Sequence, residues 1–299
     1  MIKILVTGAN GQLGSSLCDK LSKNKYKLFR PSKYELNFLT EDAIIKYLNL
    51  ISPDYIINCA AYTNVEKAEV EKDICTKINY NSIREISEYC NKYNKALIHI
   101  STDYVFGRKY NKIPWKETDK TSPVNFYGKT KLQAEKYLLS NGFDFLIIRT
   151  SGVYSATKKN NFMHTMLKLF EDRKTVNVVG NQISCPTPSW WLADVICNII
   201  NKKIKTNFNK DLRLIHATAK GEVSWYEFAR QILQYKRELG IINYKVKLNK
   251  ISDKDYSSKV LRPNYSVLNN SLLNSIGIKQ LDWKIGLKQT LKEIMVTNE

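Results

Sequence analysis

The sequence predicts an α/β fold: a doubly wound parallel sheet of the Rossmann type, with a smaller C-terminal lobe for substrate. Three observations carry this. Short apolar runs alternate with helical patterns through the first 150 residues. A glycine-rich turn, Gly8-Ala9-Asn10-Gly11-Gln12-Leu13-Gly14, separates the first apolar run from the first helical one. Beyond Thr150 the alternation loosens. Strands separated by helices imply βαβ units and a parallel sheet covered on both faces. Right-handed crossovers then wind the chain in both directions from the first strand.

In chain order, residues 2–6 read as the first strand and 13–21 as the helix after it. Residues 26–29 form a short second strand, 41–49 a helix and 55–57 a third strand. A long amphipathic helix is expected over 74–93, a fourth strand over 96–100, a helix over 124–140 and a fifth strand over 143–148. The strands are runs too short for a helix, and the helices carry apolar residues at the helical period. Further on, 175–179 and 213–216 read as strands, and 190–200, 224–235, 268–276 and 287–295 as helices. The expected division is a dinucleotide-binding domain over 1–150, with return strands from about 175–216. A smaller lobe comprises 151–174 and 217–299.

The chain has 299 residues, 43% hydrophobic and 25% charged, which suits one such unit. No run approaches about 18 consecutive apolar residues, so no membrane association is expected. Residues 1–6 lead directly into Thr7-Gly8 without the pattern of a secretory signal, so a cytoplasmic protein is expected. The six cysteines lie far apart with no C-x-x-C pair, and there are three histidines. Reduced thiols and no metal site follow. The net charge is +19, but the lysines are scattered rather than grouped. No nucleic-acid partner is expected, and the same positive field would favour a diphosphate-bearing substrate.

The glycine turn lets the backbone approach a pyrophosphate, with Gly8, Asn10, Gly11, Gln12, Leu13 and Gly14 as the candidate cradle. The helix that follows aims unpaired N–H groups at the same point. At the end of the second strand the chain reads Phe29-Arg30-Pro31-Ser32-Lys33, with no carboxylate to hold ribose hydroxyls. Arg30 and Lys33 suit a 2′-phosphate instead, so NADPH is expected, with NADH as the alternative.

Tyr127 and Lys131 form a Tyr-x-x-x-Lys pair on a predicted helix, one turn apart on one face. A phenol with a pKa near 10 is a weak proton donor or acceptor at neutral pH. A neighbouring ammonium is expected to lower it. Thr102 stands at the carboxyl end of the fourth strand, where open α/β sheets bind ligands. Its hydroxyl would serve both a substrate carbonyl and the Tyr127 phenol. Ser101 should face the other way. The small residues at the end of the third strand, Cys59-Ala60-Ala61, permit close approach by a cofactor.

These pieces, in this order, resemble the extended short-chain dehydrogenase/reductase family, and within it the reductases of 4-keto nucleotide sugars. The resembling stretches are residues 7–14, 58–69 (NCAAYTNVEKAE), 101–106 (STDYVF), 113–118 (IPWKET), 122–135 (SPVNFYGKTKLQAE), 149–154 (RTSGVY), 186–187, 224–229 (SWYEFA) and 262–268 (RPNYSVL). They span nearly the whole chain. The resemblance implies NADPH-dependent reduction of the C4 keto group of a nucleotide-activated deoxysugar, dTDP-4-dehydro-L-rhamnose above all. It implies a catalytic triad of Thr102, Tyr127 and Lys131, with Lys131 also holding the nicotinamide ribose. Ala60, Ala61, Tyr62 and Thr63 match a second cofactor-lining stretch, and Asn37 and Phe38 fall near the adenine. Asp103, Tyr104, Gly152 and Arg262 fall in the substrate site.

Two departures stand out. Reductases of this kind often carry Trp where this chain has Gly152, so the sugar pocket should differ. Some relatives hold Mg²⁺ through an acidic residue just after the glycine loop and bridge a dimer with it. Here Ser15 and Ser16 follow Gly14, so a monomer or a homodimer without that metal bridge is expected. Two other functions share these features. One is a nucleotide-sugar epimerase or dehydratase, although no Asp-Glu pair follows Thr102. The other is a non-catalytic nucleotide-binding regulator, which would not require the triad.

Overall fold

The computed structural model describes residues 1–108, 111–203, 212–240, 245–258 and 260–297. The chain opens with β1 (Lys3–Thr7), α1 (Gln12–Leu21), β2 (Lys27–Phe29), α2 (Ala43–Ile51) and β3 (Tyr55–Asn58). Then come α3 (Val65–Ala68), α4 (Lys72–Thr76), a π turn (Lys77–Asn81), α5 (Ser82–Tyr93), β4 (Ala96–Thr102), α6 (Phe126–Leu139) and β5 (Phe145–Thr150). The rest comprises β6 (Val153–Tyr154), α7 (Phe162–Asp172), β7 (Thr175–Val179), β8 (Ile183–Ser184), β9 (Thr187–Pro188), α8 (Ser189–Lys203), β10 (Leu214–His216), β11 (Val223–Ser224), α9 (Trp225–Glu238), β12 (Lys247–Ile251), α10 (Ser271–Ser275) and α11 (Trp283–Thr297).

Among the described residues, a six-stranded sheet runs β10-β5-β4-β3-β1-β2. Every pairing in it is parallel. Strand alternation divides its core in two. Ile4, Val6, Ile57, Ile98, Leu146 and Ile148 pack towards α1 and α8. Leu5, Ile56, Leu97, Phe145 and Ile147 pack towards α2, α5 and α6. Apolar residues at both parities explain why the strands read as continuous runs. The chain leaves β1 for β2 on one side and returns to β3 on the other. The carboxyl ends of β1 and β3 therefore flank the switch point where such sheets bind ligands.

A separate apolar cluster built around Met163, Phe170, Val176, Val178, Phe228, Trp283 and Leu287 forms the smaller lobe. It corrects one expectation. The strand at 175–179 exists, but it is not a return strand of the main sheet. Its inward side chains, Val176 and Val178, bury themselves in the lobe, and it pairs in parallel with β12. Only the second expected return strand, seen as β10, joins the sheet, beside β5.

Two local differences bear on the site. β4 runs on to Thr102 because Ser101 and Thr102 continue the ladder against Arg149 and Thr150. The single helix expected over 74–93 is interrupted by the π turn, from which the buried Asn79 reaches back to Tyr62 in the loop after β3. Among the described residues, no helix is long and apolar enough to cross a membrane.

Candidate active site

A cavity of about 980 Å³ opens beyond the carboxyl ends of β1, β3, β4 and β5. Gly8, Asn10, Gly11, Gln12 and Leu13 form one wall. Gly8 has φ +65°, and a Cβ there would lie 2.6 Å from the Ala60 backbone nitrogen. Gly14 supports the turn from behind, packed on the Gly8 carbonyl. α1 starts at Gln12 with no acidic residue in its first turn, so its N–H groups face the cavity without a competing charge.

Asn37 and Phe38 line the cavity beyond β2, as do Pro31, Ser32 and Lys33. Arg30 does not: it is exposed, and Lys33 is the cation of this turn in the wall. Opposite, Thr157, Lys158, Lys159 and Asn160 close over the glycine turn, and Gln12 Nε2 donates to the Asn160 carbonyl at 2.9 Å. The sequence reading missed this segment, whose only sign was a pair of lysines in a loop.

Ala60, Ala61 and Thr63 also line the cavity, but the Tyr62 side chain leaves it and donates to Glu71. Asn79 holds this stretch in place. Its Oδ1 accepts from the Tyr62 N–H at 2.8 Å, and its Nδ2 donates to the Tyr62 carbonyl and to Thr130 Oγ1, each at 3.1 Å. Asn79 thus ties the cofactor-side loop to α6 between Tyr127 and Lys131. A polar residue amid the apolar positions of a helix was the signal for it.

Thr102, Tyr127 and Lys131 meet on one wall of the cavity. Asn125 caps α6 by accepting from the Gly128 N–H at 2.8 Å, which puts Tyr127 in the first turn. Lys131 is 1% exposed, and its Nζ donates to the Ile100 carbonyl at 2.7 Å. Burial lowers its pKa to about 8, against a smaller opposing effect of Glu135. For Tyr127 the direction is the reverse of the one expected. Burial pushes the phenol up, and Asp103 adds to the rise; a hydrogen bond with Thr102 pulls it down. Desolvation of the buried phenol outweighs that hydrogen bond. The phenol therefore keeps its proton at neutral pH, which suits a proton donor.

Asp103 is buried and also lines the cavity, next to Thr102. It accepts from Thr102 Oγ1 at 3.2 Å and from Ser151 Oγ at 2.8 Å, and burial raises its pKa to about 6. Tyr104 lies edge-on to Tyr127, with ring centroids 5.8 Å apart, and is not in the wall. Arg262 is also outside the wall; it binds Glu66 at 3.0 Å and Ser258 at 2.8 Å. Gly152 is in the wall with φ +55°, and a Cβ would lie 3.2 Å from Pro186 Cα. A left-handed backbone favours glycine, so position 152 itself adds no side chain to the cavity between Ser151 and Val153.

Behind the wall, Glu135 receives Arg149 through two bonds, at 2.9 and 2.7 Å, and a third from Ser101. This buried pair clamps α6 to β4 and β5 one turn beyond Lys131. Ser101 thus faces away from Thr102, as alternation requires. A phenol that keeps its proton, lining one cavity with a buried lysine and a hydroxyl, can protonate a carbonyl oxygen as hydride arrives at its carbon.

The chain matches the family described as RmlD substrate binding domain over residues 2–296. It is 35% identical to the dTDP-4-dehydrorhamnose reductase of Salmonella typhimurium, over 99% of both chains. A dTDP-4-dehydrorhamnose reductase from Bacillus anthracis, solved in complex with NADP, superposes with a TM-score of 0.88 at 30% identity, covering 98% of this chain and 100% of that one. The Clostridium acetobutylicum enzyme of the same description gives 0.89 at 32% identity, with the same coverage.

Proposed function

The chain belongs to the RmlD substrate binding domain family, and from that premise we propose that it reduces the C4 keto group of dTDP-4-dehydro-L-rhamnose with NADPH, giving dTDP-L-rhamnose. One observation carries the reading most directly: Thr102, Tyr127 and Lys131 share a wall with the Gly8–Leu13 turn. The cavity fits the cofactor. Gly8 packs so closely on the Ala60 backbone that a Cβ would force the cradle apart, α1 offers uncompensated N–H groups, and Lys33 adds a cation. Gly8, Asn10, Gly11, Gln12 and Leu13 would hold the diphosphate, with Gly14 as support. Asn37 and Phe38 would flank the adenine, and Ala60, Ala61 and Thr63 the ring end. Bound there, NADPH supplies the hydride.

Tyr127 donates its proton to the sugar oxygen as the C4 carbonyl is reduced. Thr102 orients that oxygen by hydrogen bonding. Lys131 holds the cofactor ribose and keeps positive charge near the forming phenolate. Asp103 and Gly152 lie on the sugar side, with Tyr104 behind Tyr127. Arg262 serves the diphosphate of the substrate on exchanging Glu66 for it. The smaller lobe covers the nucleotide sugar, and the sheet domain carries the cofactor. The enzyme works in the cytoplasm as a monomer or homodimer, in polysaccharide biosynthesis.

Turnover at saturating substrate is expected to fall as pH rises through about 8, because Lys131 loses its charge there. A rate that holds level well past that pH would remove the ammonium from the mechanism. The 2′-phosphate is assigned to the turn at Arg30 and Lys33. Lys33→Ala should weaken NADPH about tenfold and leave NADH unchanged, the scale of one charge-assisted bond. Arg30→Ala should do less. Equal losses for both cofactors would refute the assignment. The substrate is tested by following NADPH oxidation over a panel of 4-keto nucleotide sugars at fixed enzyme. The dTDP-rhamnose precursor should be fastest; a faster alternative sugar or base would replace it.

A further inference from the structure

Thr7, Asn58 and His99 stand side by side across β1, β3 and β4. The register pairs Thr7 with Asn58, and Asn58 with His99. All three side chains therefore share the sheet face that α6 covers. One step earlier on each strand's same face, Leu5, Ile56 and Leu97 are apolar. The three polar residues are buried, so each needs a hydrogen-bond partner. They supply one another. Thr7 Oγ1 donates to Asn58 Oδ1, and Nδ2 of the same amide lies 3.2 Å from His99 Nδ1 and 3.3 Å from the Ala60 carbonyl. The row ends on Lys131, whose Nζ is 3.1 Å from His99 Nε2.

An ammonium has only hydrogens to offer, so a charged Lys131 requires Nε2 to accept. Nδ1 then carries the ring hydrogen and needs an acceptor in turn. Asn58 provides it when its amide presents oxygen to the ring, with Thr7 accepting from the amide nitrogen. The two ends of an amide exchange places without moving the rest of the side chain, here at the expense of the 3.3 Å bond from Nδ2 to the Ala60 carbonyl. In the opposite orientation Nε2 would carry the hydrogen and would match only an uncharged Lys131. The ring itself stays neutral, because burial, then the charge of Lys131, holds its pKa well below the ordinary value.

Other groups face Lys131 from the surrounding elements. Glu135 lies on α6 itself, Cys59 follows β3 and Cys75 comes from α4. Burial pushes both thiols up, so they stay neutral. Glu135 is engaged with Arg149 and Ser101. From β4 come the Ile100 carbonyl and His99.

We infer that His99 is a positioning residue for Lys131: its neutral ring, backed by Asn58 and Thr7, accepts one Nζ hydrogen while the Ile100 carbonyl accepts a second. The third is left for the cavity. This rests on the reading of Lys131 as the cation of the catalytic pair.

The test uses the full chain with NADPH and the 4-keto sugar, alongside thermal melts. His99→Leu removes the acceptor. Its kcat should fall about ten- to hundredfold at nearly unchanged KM, the scale of one hydrogen bond to a charged group. The alkaline limb of activity should also move to lower pH by about one unit, because the charged form of Lys131 has lost an acceptor. His99→Gln, which keeps an acceptor, should restore most of both. A folded His99→Leu protein with the wild-type alkaline limb would overturn the inference. So would a Gln variant no better than the Leu variant. Lys131→Met separates the two levels. Loss of turnover there, with none in the His99 variants, sinks this inference alone; full turnover in Lys131→Met sinks the assignment of Lys131 itself.

Discussion

Tyr127→Phe is expected to lower kcat by about 10²–10⁴-fold, the usual contribution of a positioned proton donor. The phenol is held above its ordinary pKa by burial, so it enters the reaction protonated. Phe keeps the ring and its edge-on contact with Tyr104, whose centroid lies 5.8 Å away. Lys131 keeps its own bonds to Ile100 and His99. NADPH affinity should therefore change little. Steady-state turnover and a cofactor titration check both halves. A variant that loses cofactor binding in step with turnover would make Tyr127 a structural residue rather than the donor.

Gly8→Val is expected to abolish cofactor binding. The backbone at Gly8 has φ +65°, which a β-branched residue resists, and the new Cβ would sit 2.6 Å from Ala60 N and 2.7 Å from Ala60 Cα. Both obstacles are backbone atoms of the opposite cofactor wall, so relief must come from opening the cradle. Strain at such a position costs about 1–3 kcal/mol in stability. Losing two phosphate hydrogen bonds would weaken NADPH by at least roughly a hundredfold. Gly142→Ala, with nothing within 4 Å of its Cβ, serves as the neutral control. Calorimetric titration and thermal melts read the two effects; a Gly8→Val protein that binds NADPH normally would remove the turn from the cofactor site.

Much of this site was legible because its chemistry is local in sequence. The Gly8–Gly14 turn, the one-turn spacing of Tyr127 and Lys131, and Thr102 at a strand end each follow from a few adjacent residues. What escaped was long-range. Asn79 acts through a π turn that periodicity cannot show, and it reaches Tyr62 and Thr130 from another element. His99 looks like one polar residue in an apolar strand until β3 and α6 bring Asn58 and Lys131 to it. The strand at 175–179 was read correctly as a strand and placed in the wrong sheet. An alternating apolar pattern specifies a buried face, not the partner strand. The direction of the Tyr127 shift also required the fold, since the one-turn spacing to Lys131 does not show how deeply the phenol is buried.

The enzyme makes a net hydride transfer to C4 of the sugar, with Tyr127 as proton donor. The most direct test is incubation of the protein with dTDP-4-dehydro-L-rhamnose and NADPH carrying deuterium at the transferable position. One NADPH should be consumed for each dTDP-L-rhamnose formed, with deuterium on C4 of the product. Conversion of a nucleotide sugar with no NADPH consumed and no deuterium retained would contradict it, and would mark the protein as an epimerase or dehydratase on the same fold.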